Sequence, residues 1–216
     1  MNEIRVEKKF VFGKFKEDYL EKVLLLNGFS RTYSPRNISS IYLDTLTFDF
    51  AKDNINGVSK RKKIRFRWYN NDFTNIYLEE KNKQNFLVKK NINKISNSIF
   101  ENMNIDNLKK FFFNKNKYFN NFNYRFVLKT NYYRSYWISN DKKIRATIDT
   151  NLNVSPIDNL LRKLDLNETI LEFKFSQSEE KNFRNFVFKN NFNFRTNKYS
   201  KYLQSFNLLE NSGLIN

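Results

Sequence analysis

Arg61, Lys63, Arg65 and Arg67 recur at every second position, with Ile64, Phe66 and Trp68 between them. A spacing of two places such residues on one face of a β-strand. Tyr77, Glu79, Lys81 and Lys83 form a second row, and Glu7 and Lys9, Arg145, and Glu172 and Lys174 recur in the same way elsewhere. Planar guanidinium forks bond phosphate oxygens bidentately and ammonium groups add mobile point charges, so these rows suit a dense anion. The carboxylates have a separate use, because Glu172, with Glu7 or Glu79, can hold a divalent ion bridging phosphate oxygens. Phosphoryl transfer needs little more than such positioning and charge neutralisation. The chain has neither His nor Cys. That excludes disulfides, thiolate or imidazole zinc sites, and nucleophiles activated by histidine. A metal must rest on oxygen ligands, which points to Mn²⁺ or Mg²⁺.

The elements that would carry these rows alternate with period two. In Glu3–Phe12 the odd positions Glu3, Arg5, Glu7 and Lys9 are charged and Ile4, Val6, Phe10 and Phe12 are apolar. Arg61–Tyr69, Lys143–Asp149 and Leu171–Phe175 repeat the arrangement, and Tyr124–Trp137 is strand-like with an irregularity expected near Lys129–Asn131. Helical periodicity marks Lys14–Asn27, whose expected apolar face is Tyr19, Leu20, Val23, Leu24 and Leu26, with Gly28 as the stop. A second helix is expected from Ser178, burying Phe183, Phe186 and Val187, and a third over Ser200–Leu209. Asp53–Lys60 reads as a loop turning at Gly57, and Lys89–Asn107 as a polar connection leading into a helical segment Leu108–Phe113. If the sheet closes into a barrel with helices outside, the charged faces converge in a polar interior.

The 216 residues fit one domain, and no linker-like stretch interrupts them. Lys+Arg 39 against Asp+Glu 22 gives a net charge of +17, which favours a polyanionic partner. The abundance of Asn, Lys, Phe, Ile and Tyr is also what an AT-rich coding bias produces, so the positions of the cations carry more weight than their number. Aromatics at 18% supply ample core material. No apolar run reaches the roughly 20 residues of a membrane span and no signal-peptide core opens the chain, so a cytoplasmic protein is expected.

Eight elements in order carry a resemblance: Arg5–Lys9, Ile41–Thr45, Lys63–Tyr69, Leu78–Lys81, Tyr132–Arg134, Ile144–Asp149, Leu171–Lys174 and Tyr199–Tyr202. Over about residues 3–207 the chain resembles the VTC-type polyphosphate polymerase domain of the triphosphate tunnel metalloenzymes, which include the CYTH domains. The resemblance implies an α+β fold over residues 1–216: one antiparallel eight-stranded β tunnel, helices packed outside, and a C-terminal closing helix. It also implies extension of polyphosphate from ATP with Mn²⁺ or Mg²⁺. Lys9, Lys63, Arg65, Arg67, Lys81, Lys89 and Arg145 would then line the tunnel as phosphate-binding or catalytic cations. Arg134 would be a further phosphate contact, Ser200 and Lys201 the pair in the closing helix, and Glu172 the metal carboxylate. Arg5 stands where the CYTH signature has its first acid, which argues for the polymerase branch. One further tunnel arginine has no clear counterpart, with Lys52 or Arg61 as replacements. Only two residues precede the first strand, so no regulatory helical domain is expected within this chain.

Three functions stay open on sequence. One is a polyphosphate polymerase whose partners are ATP and polyphosphate, with room for a membrane-protein partner. Another is a tunnel triphosphatase in which water attacks instead. The third is a nucleic-acid module using Trp68, Tyr69 and Tyr133 as stacking platforms; it is disfavoured because most aromatics lie on apolar faces. Asp44 reads as a strand-end residue, Asp149 as an ion-pair partner for Arg145, and Ser200 as a helix cap. Truncating Arg65 or Arg67 is expected to abolish triphosphate binding without harming the fold.

Overall fold

The computed structural model describes residues 5–85, 87–95, 124–189 and 198–215. Strands and helices follow in the order β1 (Arg5–Gly13), α1 (Glu17–Leu26), β2 (Phe29–Thr45), α2 (Asp49–Ile55), β3 (Lys60–Tyr69), β4 (Asp72–Gln84), β5 (Leu87–Ile95), β6 (Tyr124–Ser139), β7 (Arg145–Pro156), β8 (Leu164–Asp165), β9 (Glu168–Ser176), α3 (Glu180–Lys189) and α4 (Lys201–Asn211). Hydrogen-bonded neighbours run β1-β9-β7-β6-β2-β3-β4-β5, eight strands in all, with the two-residue β8 paired to β7. The residues fall into two compact units. The first takes its described residues from Met1–Arg36, Tyr132–Leu152 and Asp165–Ser200, the second from Asn37–Asn131, Asn153–Leu164 and Lys201–Asn216.

In the first unit β1 and β7 both pair antiparallel with β9, in the registers Lys9↔Glu172 and Thr147↔Glu172. The alternation then does what the sequence demands. Phe10, Ala146, Ile148, Leu171, Phe173 and Phe175 join one apolar cluster with Leu20 and Leu24 of α1 and Phe183 of α3. Phe175 and Phe183 stack with ring centres 4.5 Å apart. The apolar face of α1 is narrower than expected, since Leu26 is 85% exposed and Tyr19 is also exposed. Only the Leu20/Leu24 pair, one turn apart, is fully covered, with Val23 partly packed beside it. Gly28 stops α1 at φ +75°, and a Cβ there would come within 2.9 Å of the Asn140 side-chain nitrogen. Asn140 also donates its backbone N–H to the Gly28 carbonyl at 2.8 Å, so the stop doubles as a contact point.

The second unit is built on β2–β3–β4–β5, whose neighbours pair antiparallel. Ile41, Leu43, Ile64, Phe66, Trp68, Ile76 and Leu78 share a core with Phe50 of α2 and Phe126 of β6. Helix α4 buries Tyr202, Ser205, Phe206 and Leu209, a single face at helical spacing.

Several expectations need correction. Residues Asp49–Ile55 form helix α2, which takes in the first residues, Asp53–Ile55, of the expected loop Asp53–Lys60, although Gly57 does turn at φ +67°. Leu87–Ile95 is strand β5, so the polar run from Lys89 opens with an edge strand and not a connection. Its continuation to Asn107 and the segment Leu108–Phe113 lie outside the described residues. Lys143 precedes β7 and pairs with Glu179 at 3.1 Å. Strand β6 runs through Lys129–Asn131, and its buried parity changes a few residues later, from even positions ending at Tyr132 to odd positions starting at Ser135.

Candidate functional site

The second unit gathers the densest cations. Register places Arg65 opposite Glu79 and Tyr42, Arg67 opposite Tyr77 and Ser40, and Lys63 opposite Lys81, which in turn faces Lys90. Residues directly opposite share a face, so Lys63, Lys81 and Lys90 stand abreast on adjacent strands, an arrangement that like charges disfavour. Glu79 is 6% exposed and sits among them. Its Oε2 accepts from Arg65 Nε at 2.8 Å and Nη2 at 2.5 Å, Oε1 accepts from Lys90 Nζ at 3.1 Å, and Arg67 Nη1 lies 3.9 Å away. Burial alone would raise the Glu79 pKa, but Arg65, Arg67 and Lys90 hold it down at about 2. Lys90 is pushed below the usual lysine range by burial and by Arg65 and Arg67, against the attraction of Glu79. Glu79 thus draws Arg65, Arg67 and Lys90 together, and such a concentration of positive charge on one face attracts anions.

Neighbours hold the guanidinium groups in place. Arg65 Nη1 donates to the Tyr42 hydroxyl at 3.1 Å and Arg67 Nε to Ser40 Oγ at 3.2 Å. Tyr42 stacks on Tyr202 of α4 at 5.1 Å, and the Tyr202 hydroxyl donates to Asp44 Oδ2 at 2.5 Å. Asp44 also accepts the backbone N–H groups of Phe50 and Ala51 in the first turn of α2, at 2.8 and 3.0 Å. Its role at the strand end is therefore structural.

The first unit presents a mixed face. Arg145, Lys174 and Glu7 lie abreast, as do Thr147, Glu172 and Lys9. Lys174 Nζ is 3.0 Å from Glu172 and 3.8 Å from Glu7. Lys9 Nζ donates to the Tyr199 carbonyl at 3.3 Å. Arg134 grips Asp149 with Nε at 2.5 Å and Nη2 at 2.7 Å. Burial opposes the charge of Arg134, yet Asp149 raises its pKa well above the ordinary value. Asp149 thus pairs with Arg134, the guanidinium group that the resemblance assigns to phosphate contact.

Of the expected site residues, Lys63, Arg65, Arg67 and Lys81 meet on one face, and Lys9, Arg145 and Glu172 on another. Lys89 falls elsewhere: it faces Asn82, which faces Lys62, on the opposite side of β5 from Lys90. Two adjacent lysines cannot be told apart by alternation alone, and only the pairing register chooses Lys90. Ser200 is buried immediately before α4, and Lys201 is its first residue. Glu79, weighed as a metal ligand, is engaged by three cations. Arg61 shares the row of Lys63 and donates to Asn54 at 3.3 Å. Tyr42, Ser40 and Thr147 were missed; the strand Ile41–Thr45 that carries Tyr42 was the only signal. Trp68 is fully buried and Tyr69 packs edge-on against Tyr77, so of the three stacking platforms only Tyr133 is exposed.

The VTC domain model matches residues 6–210, so the chain belongs to the VTC domain family. No curated protein matches it. Among solved structures it is similar to a candidate adenylate cyclase of Vibrio parahaemolyticus, with TM-score 0.57 and 13% identity over 95% of this chain and 99% of that one. A Hippeastrum candidate adenylyl cyclase, described as having a dominant triphosphatase activity, gives TM-score 0.55 and 12% identity over 98% and 97%. A Pyrococcus horikoshii protein gives 0.51 and 17% over 95% and 99%. The strand order and helices match this triphosphate tunnel, CYTH-like fold. No helix among the described residues is long and apolar enough to cross a membrane.

Proposed function

We propose that this protein is a metal-dependent polyphosphate polymerase that transfers the γ-phosphoryl group of ATP to a growing polyphosphate chain in the cytoplasm. The observation that carries the reading is the rank of Lys63, Lys81 and Lys90 beside Arg65 and Arg67, with Glu79 pairing with Arg65 and Lys90. Phosphate oxygens are drawn to this concentration of positive charge. In the reaction the bond from the γ-phosphorus to its bridging oxygen breaks, a bond to the terminal oxygen of the acceptor chain forms, and ADP leaves. The acceptor phosphate is already anionic, so no protein base is required. Arg65 and Arg67, fixed by Tyr42 and Ser40, orient the phosphates.

The family implies a divalent ion, and the chemistry of one set of donors fits it. Glu172 and Glu7 both reach toward Lys174, and the buried Thr147 hydroxyl, without a hydrogen-bond partner among the described residues, stands across from Glu172. Mg²⁺ or Mn²⁺ is commonly held by one or two carboxylates plus substrate phosphates. Among the described residues no group of three or more carboxylates gathers, so the phosphates would complete the shell. When bound, the ion neutralises charge developing on the transferred group. Glu172 and Glu7 would hold it, and Lys174 would keep them apart from the cations.

A second reading, a triphosphatase in which water is the acceptor, draws on the activity described for the Hippeastrum neighbour. Incubating the purified chain with ATP, Mn²⁺ and a short phosphate primer, with products sized on a gel, separates the two. Polymer supports the polymerase, and orthophosphate alone supports hydrolysis. Glu172→Gln is expected to cut turnover at least about a hundredfold while nucleotide affinity changes little. Turnover indifferent to chelators would sink the metal assignment.

A further inference from the structure

Phe15 stands in the turn between β1 and α1 at φ +67°, and 85% of it is exposed. A left-handed backbone crowds the Cβ of a bulky residue, so Gly or Asn normally fills it. Among the described residues this chain does place Asn at most such non-glycine positions, namely Asn70, Asn71, Asn85, Asn151 and Asn167. Phe48 shares the conformation, but its ring packs 5.0 Å from that of Phe206 and under the guanidinium group of Arg125. The Phe15 ring has the Lys14 ammonium group 5.3 Å from its centre and is otherwise mostly open to solvent. Backbone preference and core packing both argue against phenylalanine in this turn. A strained residue kept against both points to a function.

Helix α1 carries the apolar surface onward. Tyr19 and Leu26 stand about two turns apart on one side, away from the buried pair Leu20 and Leu24. Both are exposed, as is Leu25 beside them. Lys22 lies on the same side between Tyr19 and Leu26, and Lys16 flanks the turn; these cations are exposed too. Of the acids on α1, Glu21 takes Arg31 at 2.6 Å and Glu17 is half-buried, which leaves Asp18 as the exposed one. Exposed apolar patches mark protein or membrane contacts. Side chains this exposed protrude, and a protrusion of Phe and Leu flanked by lysines suits a negatively charged surface that yields around it. We propose that the β1–α1 turn and the outer side of α1 dock this protein peripherally on a membrane rich in anionic lipid. Phe15 and Leu26 enter the headgroup region, and Lys16 and Lys22 meet the lipid phosphates. The proposal is independent of the polymerase reading.

Co-sedimentation with vesicles of phosphatidylcholine, alone or with about 30% phosphatidylserine, tests it. The wild type is expected to bind the anionic vesicles at least about tenfold more tightly than the neutral ones. Phe15→Asn with Leu26→Gln should weaken that binding at least about tenfold. Asn suits the backbone of the turn, so the urea midpoint of this variant should not fall below that of the wild type. Lys16→Glu with Lys22→Glu should reduce anionic binding by a similar factor. Equal binding to the two vesicle types, or undiminished binding in the Phe15/Leu26 variant, would overturn the proposal. In Phe15→Trp, emission should shift to the blue when anionic vesicles are added, and an unmoved spectrum would also overturn it. Wild type that self-associates in the ultracentrifuge through this face, without binding vesicles, would make the face a protein interface and remove the lipid assignment.

Discussion

Glu79 and Asp149 are both buried acids on charged strands, but the cations that hold them are arranged differently. Asp149 in the first unit meets the two-pronged fork of Arg134, a pairing matched in charge and geometry. Glu79 in the second is shared by Arg65, Lys90 and, at longer range, Arg67, with Lys63 and Lys81 ranked alongside. A buried bidentate pair holds strands in register and has little reason to exchange partners. An acid that gathers several cations behaves as a resident counter-ion that an incoming anion can join. The same residue types thus build a structural tie in one region and an anion site in the other.

The sharpest way to break this contrast is Arg134→Ala. It removes the bidentate partner of Asp149, which is 0% exposed, and should cost about 3–5 kcal/mol of stability in urea unfolding. A loss under about 1 kcal/mol would mean that the two regions are not different in kind. Acid titration gives the next largest effect. The Glu79 pKa is held at about 2 in the folded chain against an ordinary 4.5, so its contribution is complete above the unfolded value. It disappears as pH falls from about 4.5 towards 2, and amounts to on the order of 3 kcal/mol. Glu79→Gln should flatten that part of the stability profile; an unchanged slope would remove Glu79 as the shared counter-ion. The smallest stability change is expected for Arg65→Ala, about 1–2 kcal/mol, because Glu79 keeps Lys90 and Arg67. Its triphosphate affinity should nonetheless drop at least about thirtyfold by calorimetry, and unchanged affinity would take Arg65 out of the site. This refines the expectation that truncation leaves the fold unharmed, since Glu79 also loses a partner.

Period-two alternation made the charged faces of β1, β3, β7 and β9 legible, because a strand that buries one side must show the other. It could not reveal which acid meets which base. That depends on pairing register, and a change of one residue separates Lys90 from Lys89. Helix α2 escaped notice for a related reason: its seven residues carry only Phe50 and Ala51 as buried positions, too few to show a period. What starts it is Asp44, held in place by a tyrosine from a distant helix. The even-to-odd change in β6 hides in the sequence because both halves are equally rich in aromatics. Only their burial separates Tyr132 from Ser135 and Trp137.

The hydrogen bond from Tyr202 to Asp44 spans 158 positions of sequence. A ribosome must therefore deliver nearly all of the second unit before that acid acquires its hydroxyl and Tyr42 its stacking ring. Contacts of such long loop closure form late and slow a fold. During synthesis the arginine that leans on Tyr42 waits without its final support, so the polyanion site should mature only after the last helix has docked.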